Sequence, residues 1–168
     1  MTISIAPITV DTIDEYHHVL GAVARERKYL AREDAPPIER SRAFVLENME
    51  RGNPHFVALD GVSVVGWCDV RRNTEFNALH AGMLGMGMLA DYRGKGIGSR
   101  LMEAALAAAW SIGLTRIELS VNASNQRAIR LYEKSGFEYE GVLRNAIMLD
   151  GDYQDVVIMG ILAEPRLC

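Results

Sequence analysis

The stretch from Met88 to Ser99, Met-Leu-Ala-Asp-Tyr-Arg-Gly-Lys-Gly-Ile-Gly-Ser, constrains this chain more than any other. An apolar strand runs into a basic, glycine-studded loop, and the loop runs into an Ala/Leu-rich helix. The first N–H groups of a helix have no partner within it, and the helix dipole adds partial positive charge at that end. Gly94, Gly96 and Gly98 lack a Cβ, so the backbone can curl there and come close to a ligand. Arg93 and Lys95 add full charges. The expected guest is a phosphate group.

Three phosphate-binding patterns compete for the loop. A Walker A loop needs Gly-Lys followed by Ser or Thr, but Gly96 follows Lys95. A dinucleotide fingerprint needs G-x-G-x-x-G and an acidic residue about 20 positions on. Gly94, Gly96 and Gly98 are one residue short of that spacing, and Glu118 falls inside the next apolar run rather than at its end. Arg93-Gly94-Lys95-Gly96-Ile97-Gly98 instead matches R/Q-x-x-G-x-G/A, and so resembles the pyrophosphate loop of the GNAT N-acetyltransferase superfamily. The resemblance is continuous from about His80 to Phe137 and weaker to Leu162. It includes the strand Leu84-Gly85-Met86-Gly87-Met88, the strand starting at Leu119, and Ala128-Ile129-Arg130-Leu131-Tyr132 with Gly136-Phe137.

The resemblance implies an α/β fold: a mixed, mostly antiparallel central sheet, splayed between two central strands, with helices on both faces. It implies acetyl-CoA as cosubstrate, held by Met86, Gly87, Met88, Arg93, Gly94, Lys95, Gly96, Ile97, Gly98, Ser99 and Asn125. The tyrosine matching Tyr132 protonates the departing CoA thiolate in this superfamily, and the asparagine matching Asn125 contacts the cofactor. Independently of any relative, Asn125 and Tyr132 are close to two helical turns apart, which puts both on one face of a predicted helix. Gly82, Gly85 and Gly87 weaken the central strand and read either as a bulge or as room for a backbone-like chain, such as pantetheine, to pair with Met86 and Met88.

Acyl transfer to an amine needs a neutral nitrogen, a donor for the thioester oxygen (a backbone N–H near Met88) and a route for a proton. Glu118 is the candidate base, on one face of a strand with Arg116 and Ser120. His80, water, or a merely structural carboxylate at Glu118 remain alternatives. Some relatives that acetylate protein N-termini carry glutamate where this chain has Ser120, which weighs against that substrate class. His17 and His18 read as surface or lid residues. Glu33, Asp34 and Glu39 read as a solvated loop or as the lining of an amine pocket. The acceptor stays open among arylalkylamines, polyamines, amino acids, aminoglycosides and protein amines. The tail from Gly141 to Leu162 resembles members of the superfamily that acetylate free amino acids or related small amines. A non-catalytic acyl-CoA-binding module is the competing class.

The chain has 168 residues, 49% of them hydrophobic, which suits one domain, 1–168, with a substantial core. A net charge of −4 gives no sign of nucleic acid or an anionic membrane as partner. The partner expected is a small-molecule amine, with a homodimer left open. Cys68 reads as a buried free thiol and Cys168 as terminal and exposed; neither has metal-ligand spacing, so no metal is expected. The N-terminus lacks a basic and an apolar targeting region, and no apolar run approaches a membrane span, so the cytoplasm is the expected location. The predicted order is β-α-α-β-β-β-α-β-α-β-β, with the first strand over Thr2–Val10, the first helix ending near Arg27 or Lys28, and hairpins at Asp60-Gly61 and Asp150-Gly151.

Overall fold

The structure, a computed structural model, describes residues 2–164; Cys168 lies outside them. Its element order is the predicted one. The strands are β1 (Ile3–Pro7), β2 (His55–Asp60), β3 (Ser63–Arg72), β4 (Ala81–Met88), β5 (Arg116–Asn122), β6 (Glu138–Leu149) and β7 (Asp152–Leu162). The helices are α1 (Ile13–Arg25), α2 (Ile38–Glu50), α3 (Ile97–Ser111) and α4 (Gln126–Lys134). The strands form one sheet in the order β1-β2-β3-β4-β5-β7-β6. Every neighbouring pair is antiparallel except β4 and β5.

Alternation along the strands divides the core into two layers. Val57 and Trp67 face α1, whose Ile13, Tyr16, Val19, Leu20 and Val23 recur at helical spacing and are buried with them. Cys68, Val70, Leu84 and Met88, with Ile117, Leu119 and Val121, face the other way, onto Leu101, Met102 and Ala105 of α3 and Ile129 and Tyr132 of α4. Helices therefore cover both faces.

The differences from expectation lie at element ends. The first strand is shorter than Thr2–Val10, because Val10–Thr12 closes into a 3₁₀ turn in which the Thr12 hydroxyl donates to the Thr9 carbonyl. Helix α1 stops at Arg25 because Arg27 takes φ +55°, outside the helical region. The Arg27 guanidinium reaches the tip of the β6–β7 hairpin, where Asp150 accepts from it at 2.7 Å. At that tip Asp150 and Gly151 both have positive φ, as a two-residue type I′ turn demands. Strand β6 lies at the sheet edge, and Tyr139, Val142 and Leu143 on it are exposed. Among the described residues, no helix is long and apolar enough to cross a membrane.

Candidate active site

The parallel ladder between β4 and β5 covers only Ala81–Met83 against Arg116–Glu118. Beyond those rungs the two strands diverge. On its other edge β4 stays paired with β3 from Gly82 to Met88. The Leu89 amide donates to Val65 of β3 at 2.9 Å. Alternation of backbone direction then turns the N–H and C=O groups of Leu84, Met86 and Met88 toward the gap. These include both residues expected to pair with an extended ligand. The glycines between them have a different use from the one expected. A Cβ on Gly87 would fall inside the Trp67 indole, and one on Gly85 would meet the Asp69 carboxylate at 3.4 Å. The missing side chain of Gly87 makes room for the indole, and by the same alternation its backbone groups face β3 rather than the gap.

The gap opens onto the glycine loop. Gly94 and Gly96 have φ of +73° and +76°, and a Cβ on either would meet nothing within 4 Å. Gly96 is the N-cap of α3 and supplies no side chain to cap it. The Arg100 amide is the first to bond back, to Gly96 at 3.3 Å, so the amides of Ile97, Gly98 and Ser99 are free among the described residues. Gly98 also lets α4 approach, since a Cβ there would lie 3.2 Å from Leu131. Lys95 is exposed, with its ammonium 5.7 Å from the Tyr92 ring centre. Arg93 is not a free loop charge. Its guanidinium donates to both Glu26 oxygens, at 2.5 and 2.9 Å, and to the Met88 carbonyl at 2.9 Å, and it stacks on Tyr29.

Tyr132 is buried beside the gap, its ring 5.9 Å from that of Phe137. Burial first, and then the nearby Cys68 thiol, hold its phenol well above the ordinary range. Cys68 is buried as expected, and burial likewise pushes its thiol far up. Asn125 differs from expectation. It precedes α4 as its N-cap, and its side-chain oxygen accepts from the Ala128 amide at 3.2 Å, so that oxygen is spent on the helix end.

Glu118 sits on the last rung of the ladder, where it accepts from Arg116 at 2.8 Å. Arg116 also binds both oxygens of Glu140, at 2.6 and 2.7 Å. His80 is exposed just before β4, at the closed end of the ladder and roughly 25 Å along the strand from Met88. His17 bonds Ser41 at 2.9 Å and so ties α1 to α2. Asp34 and Glu33 pair with Arg25 and Arg27, which leaves those carboxylates little to offer an acceptor amine. Among the described residues no group of His, Cys, Asp or Glu side chains is arranged to hold a metal ion.

Sequence reasoning passed over two buried polar residues on the strands behind β4. Asp69 and His55 stand opposite each other on β3 and β2, and Gly85 is the β4 residue opposite Asp69. They are 5% and 4% exposed. Neither His55 nitrogen has a protein partner among the described residues. Burial lowers the His55 pKa to about 4. It raises that of Asp69 to about 7, against the opposing pull of Arg71 and the Trp67 indole. The available signal was one carboxylate inside the otherwise apolar run Val64–Val70. Asn122 was also missed; its side-chain amide donates to the Lys28 carbonyl at 2.9 Å and ties the α1–α2 connection to the end of β5.

The family model described as Acetyltransferase (GNAT) family matches residues 22–137. The uncharacterized N-acetyltransferase YycN of Bacillus subtilis is 29% identical over 153 residues, which span 85% of this chain and 97% of that protein. The spermidine N(1)-acetyltransferase of Vibrio cholerae is 32% identical over 127 residues, 75% of this chain and 66% of that protein. Among solved structures, the GNAT-family acetyltransferase of Streptococcus pneumoniae superposes with a TM-score of 0.89 at 25% identity, covering 96% of this chain and 100% of that one. A phosphinothricin acetyltransferase of Sinorhizobium meliloti in complex with AcCoA gives 0.84 at 21% identity, over 99% and 91% of the two chains.

Proposed function

Because the chain belongs to the acetyltransferase (GNAT) family, we propose that it transfers the acetyl group of acetyl-CoA to a small-molecule primary amine by direct attack. The observation that carries this reading is the missing part of the β4–β5 ladder beside a glycine loop with unpaired amides. Acetyl-CoA fits those two features together. The free amides of Ile97, Gly98 and Ser99 and the exposed Lys95 suit a pyrophosphate, and the backbone groups of Leu84, Met86 and Met88 suit the amides of pantetheine. When bound, acetyl-CoA supplies an activated acetyl thioester. The Met88 carbonyl accepts from Arg93, and the Met88 N–H is the group that would donate to the thioester oxygen.

Tyr132 is the proton donor to the departing sulfur in this reading. A phenol with a raised pKa is a weak acid, and the same burial that raises it also raises the thiol of Cys68 nearby; a CoA sulfur drawn into such surroundings would be a weaker acid too. A thiolate released there is correspondingly more basic, which keeps the two groups matched. We assign Asn125 to positioning α4 against the cofactor, and Glu118 to holding Arg116 in the sheet. The acceptor is taken as a small amine or amino acid because a relative of similar sequence is named a spermidine acetyltransferase. The domain would work in the cytoplasm, and a homodimer would find its surface on the exposed β6.

The test is thiol release from acetyl-CoA with tryptamine, spermidine, glycine and kanamycin as acceptors, beside melting curves with CoA, NAD, NADP and ATP. Turnover with at least one amine, and a melting shift from CoA alone, are expected. A CoA shift without turnover would make the chain a binding module; a shift from NAD and none from CoA would overturn the reading.

A further inference from the structure

Asp69 has no role in the chemistry described so far, although its position is unusual. Its carboxylate lies over Gly85, two residues past the last β4–β5 rung at Met83, on the sheet face that carries α1 and α2. That is the face opposite α3 and α4, so the carboxylate approaches β4 from the side away from Tyr132. The available counter-charge is modest. The ionisable groups around it are Tyr16 on α1, His55 on β2, Arg71 beside it on β3 and Cys68 on the reverse face. Arg32 from the α1–α2 connection acts on Tyr16, and β4 contributes only Gly85 opposite. Tyr16 is itself pushed far above its ordinary range by burial, so it stays neutral. Three other acidic candidates are already engaged, Glu118 with Arg116, Asp34 with Arg25 and Glu33 with Arg27, and Glu39 is exposed at the start of α2.

We propose that Asp69 is the base of the reaction: it receives the acceptor's ammonium and removes its first proton, an inference that rests on the acetyl-transfer reading of the same gap. The substrate class is then a cationic primary amine. The balance is simple. One ammonium proton passes to the Asp69 carboxylate and leaves to solvent. The freed nitrogen lone pair forms the C–N bond as the C–S bond breaks, with the bonding pair going to sulfur. The nitrogen's second proton replaces, through solvent, the one that Tyr132 gives to sulfur. The net result is amide, free thiol and one proton. A carboxylate near 7 is suited to this task. Proton transfer to it from an ammonium near 10.4 is about a thousandfold more favourable than to an ordinary carboxylate near 3.9.

The experiment measures kcat/KM against pH for the best acceptor of the panel, for the unmodified protein and for Asp69→Asn and Asp69→Glu. The unmodified protein should lose activity on the acid side with an apparent pKa near 7. Asp69→Asn should lose about 10²-fold or more at pH 7. It should also lose the acid limb while keeping its fold and its melting shift with CoA. Asp69→Glu should restore part of the rate together with a limb. Asp69→Asn within threefold of the unmodified rate, or weakened with the limb intact, would overturn the proposal. Were Asp69→Asn unable to fold, the limb of the unmodified protein would decide, and a profile flat from pH 5.5 to 8 would count against Asp69. No turnover with any amine would overturn this inference and the acetyl-transfer reading together, whereas turnover that does not need Asp69 overturns this inference alone.

Discussion

Replacing Arg93 by methionine separates two roles that the loop motif alone runs together. As a free loop charge, Arg93 would attract the cofactor's phosphates, and its loss would weaken binding with a strong dependence on salt. The structure instead puts its guanidinium on Glu26, the Met88 carbonyl and the Tyr29 ring, with only 14% of the side chain exposed. A charge-assisted hydrogen bond contributes about 1.5–3 kcal/mol, and a cation–π contact about 0.5–1 at an exposed site. Glu26 is 30% exposed and regains water once its partner is gone. The net cost of Arg93→Met is therefore about 2–3 kcal/mol, not the sum of every contact. For a chain of this size that lowers the melting temperature by about 5–10 °C. Glu26→Gln with Arg93→Met should cost less than the two single changes added, by about 1 kcal/mol or more, because no unpaired carboxylate remains. CoA affinity, by calorimetry at two salt concentrations, should fall only as far as the Met88 end of the gap is disturbed, with little change in salt slope. A variant that melts like the parent but loses CoA binding steeply at low salt would refute this account and return Arg93 to the phosphates.

Tyr132→Phe should lower turnover by about 10²-fold or more with CoA binding unchanged. Since the hydroxyl has no protein partner among the described residues, melting should barely move, and a destabilised variant with intact turnover would make Tyr132 structural. Gly96→Ala should fold with a penalty of about 1–2 kcal/mol from the left-handed backbone; it should bind CoA at least tenfold more weakly, and unchanged affinity by calorimetry would place the phosphates elsewhere. His55 and Asp69 should pull stability in opposite directions with pH. Folded His55 titrates near 4 against 6.5 when unfolded, so it costs stability as pH falls from 6.5 toward 4. Folded Asp69 titrates near 7 against 3.8, so it adds stability as pH falls from 7 toward 4. Each amounts to roughly 3–4 kcal/mol at its limit. Melting curves from pH 4 to 7 should therefore be steeper for Asp69→Asn than for the parent and inverted for His55→Phe; parallel curves for all three would exclude the pairing.

The parts of the fold legible in the sequence were those set by local chemistry. Alternation, apolar helical spacing, the Pro-Pro break before Ile38 and the Asp-Gly turns gave each strand and helix in order. The places that escaped depend on contacts distant in sequence. Helix α1 ends early at the positive φ of Arg27, whose side chain then bonds Asp150, a partner 123 positions away. Gly87 is glycine because an indole from the next strand needs its space. The phosphate loop was readable because its requirements, unpaired amides and positive φ, are met within a few residues. The burial of Asp69 was not, since in sequence it is one acid in an apolar run; only the register puts His55 on one side of it and Gly85 on the other.

A sheet normally loosens from its edges inward, but this one has its weakest line in the middle. Two half-sheets, β1 to β4 and β5 to β7, meet along the three residue pairs Ala81–Met83 with Arg116–Glu118. Mechanically that is a short hinge, backed on one face by the apolar layer under α3 and α4. In the proposed binding mode, a ligand chain hydrogen-bonded along the open length of β4 would act as a rivet across the seam. The loaded protein would then be stiffer about those three rungs than the empty one, and the cofactor would serve as a structural member of the sheet.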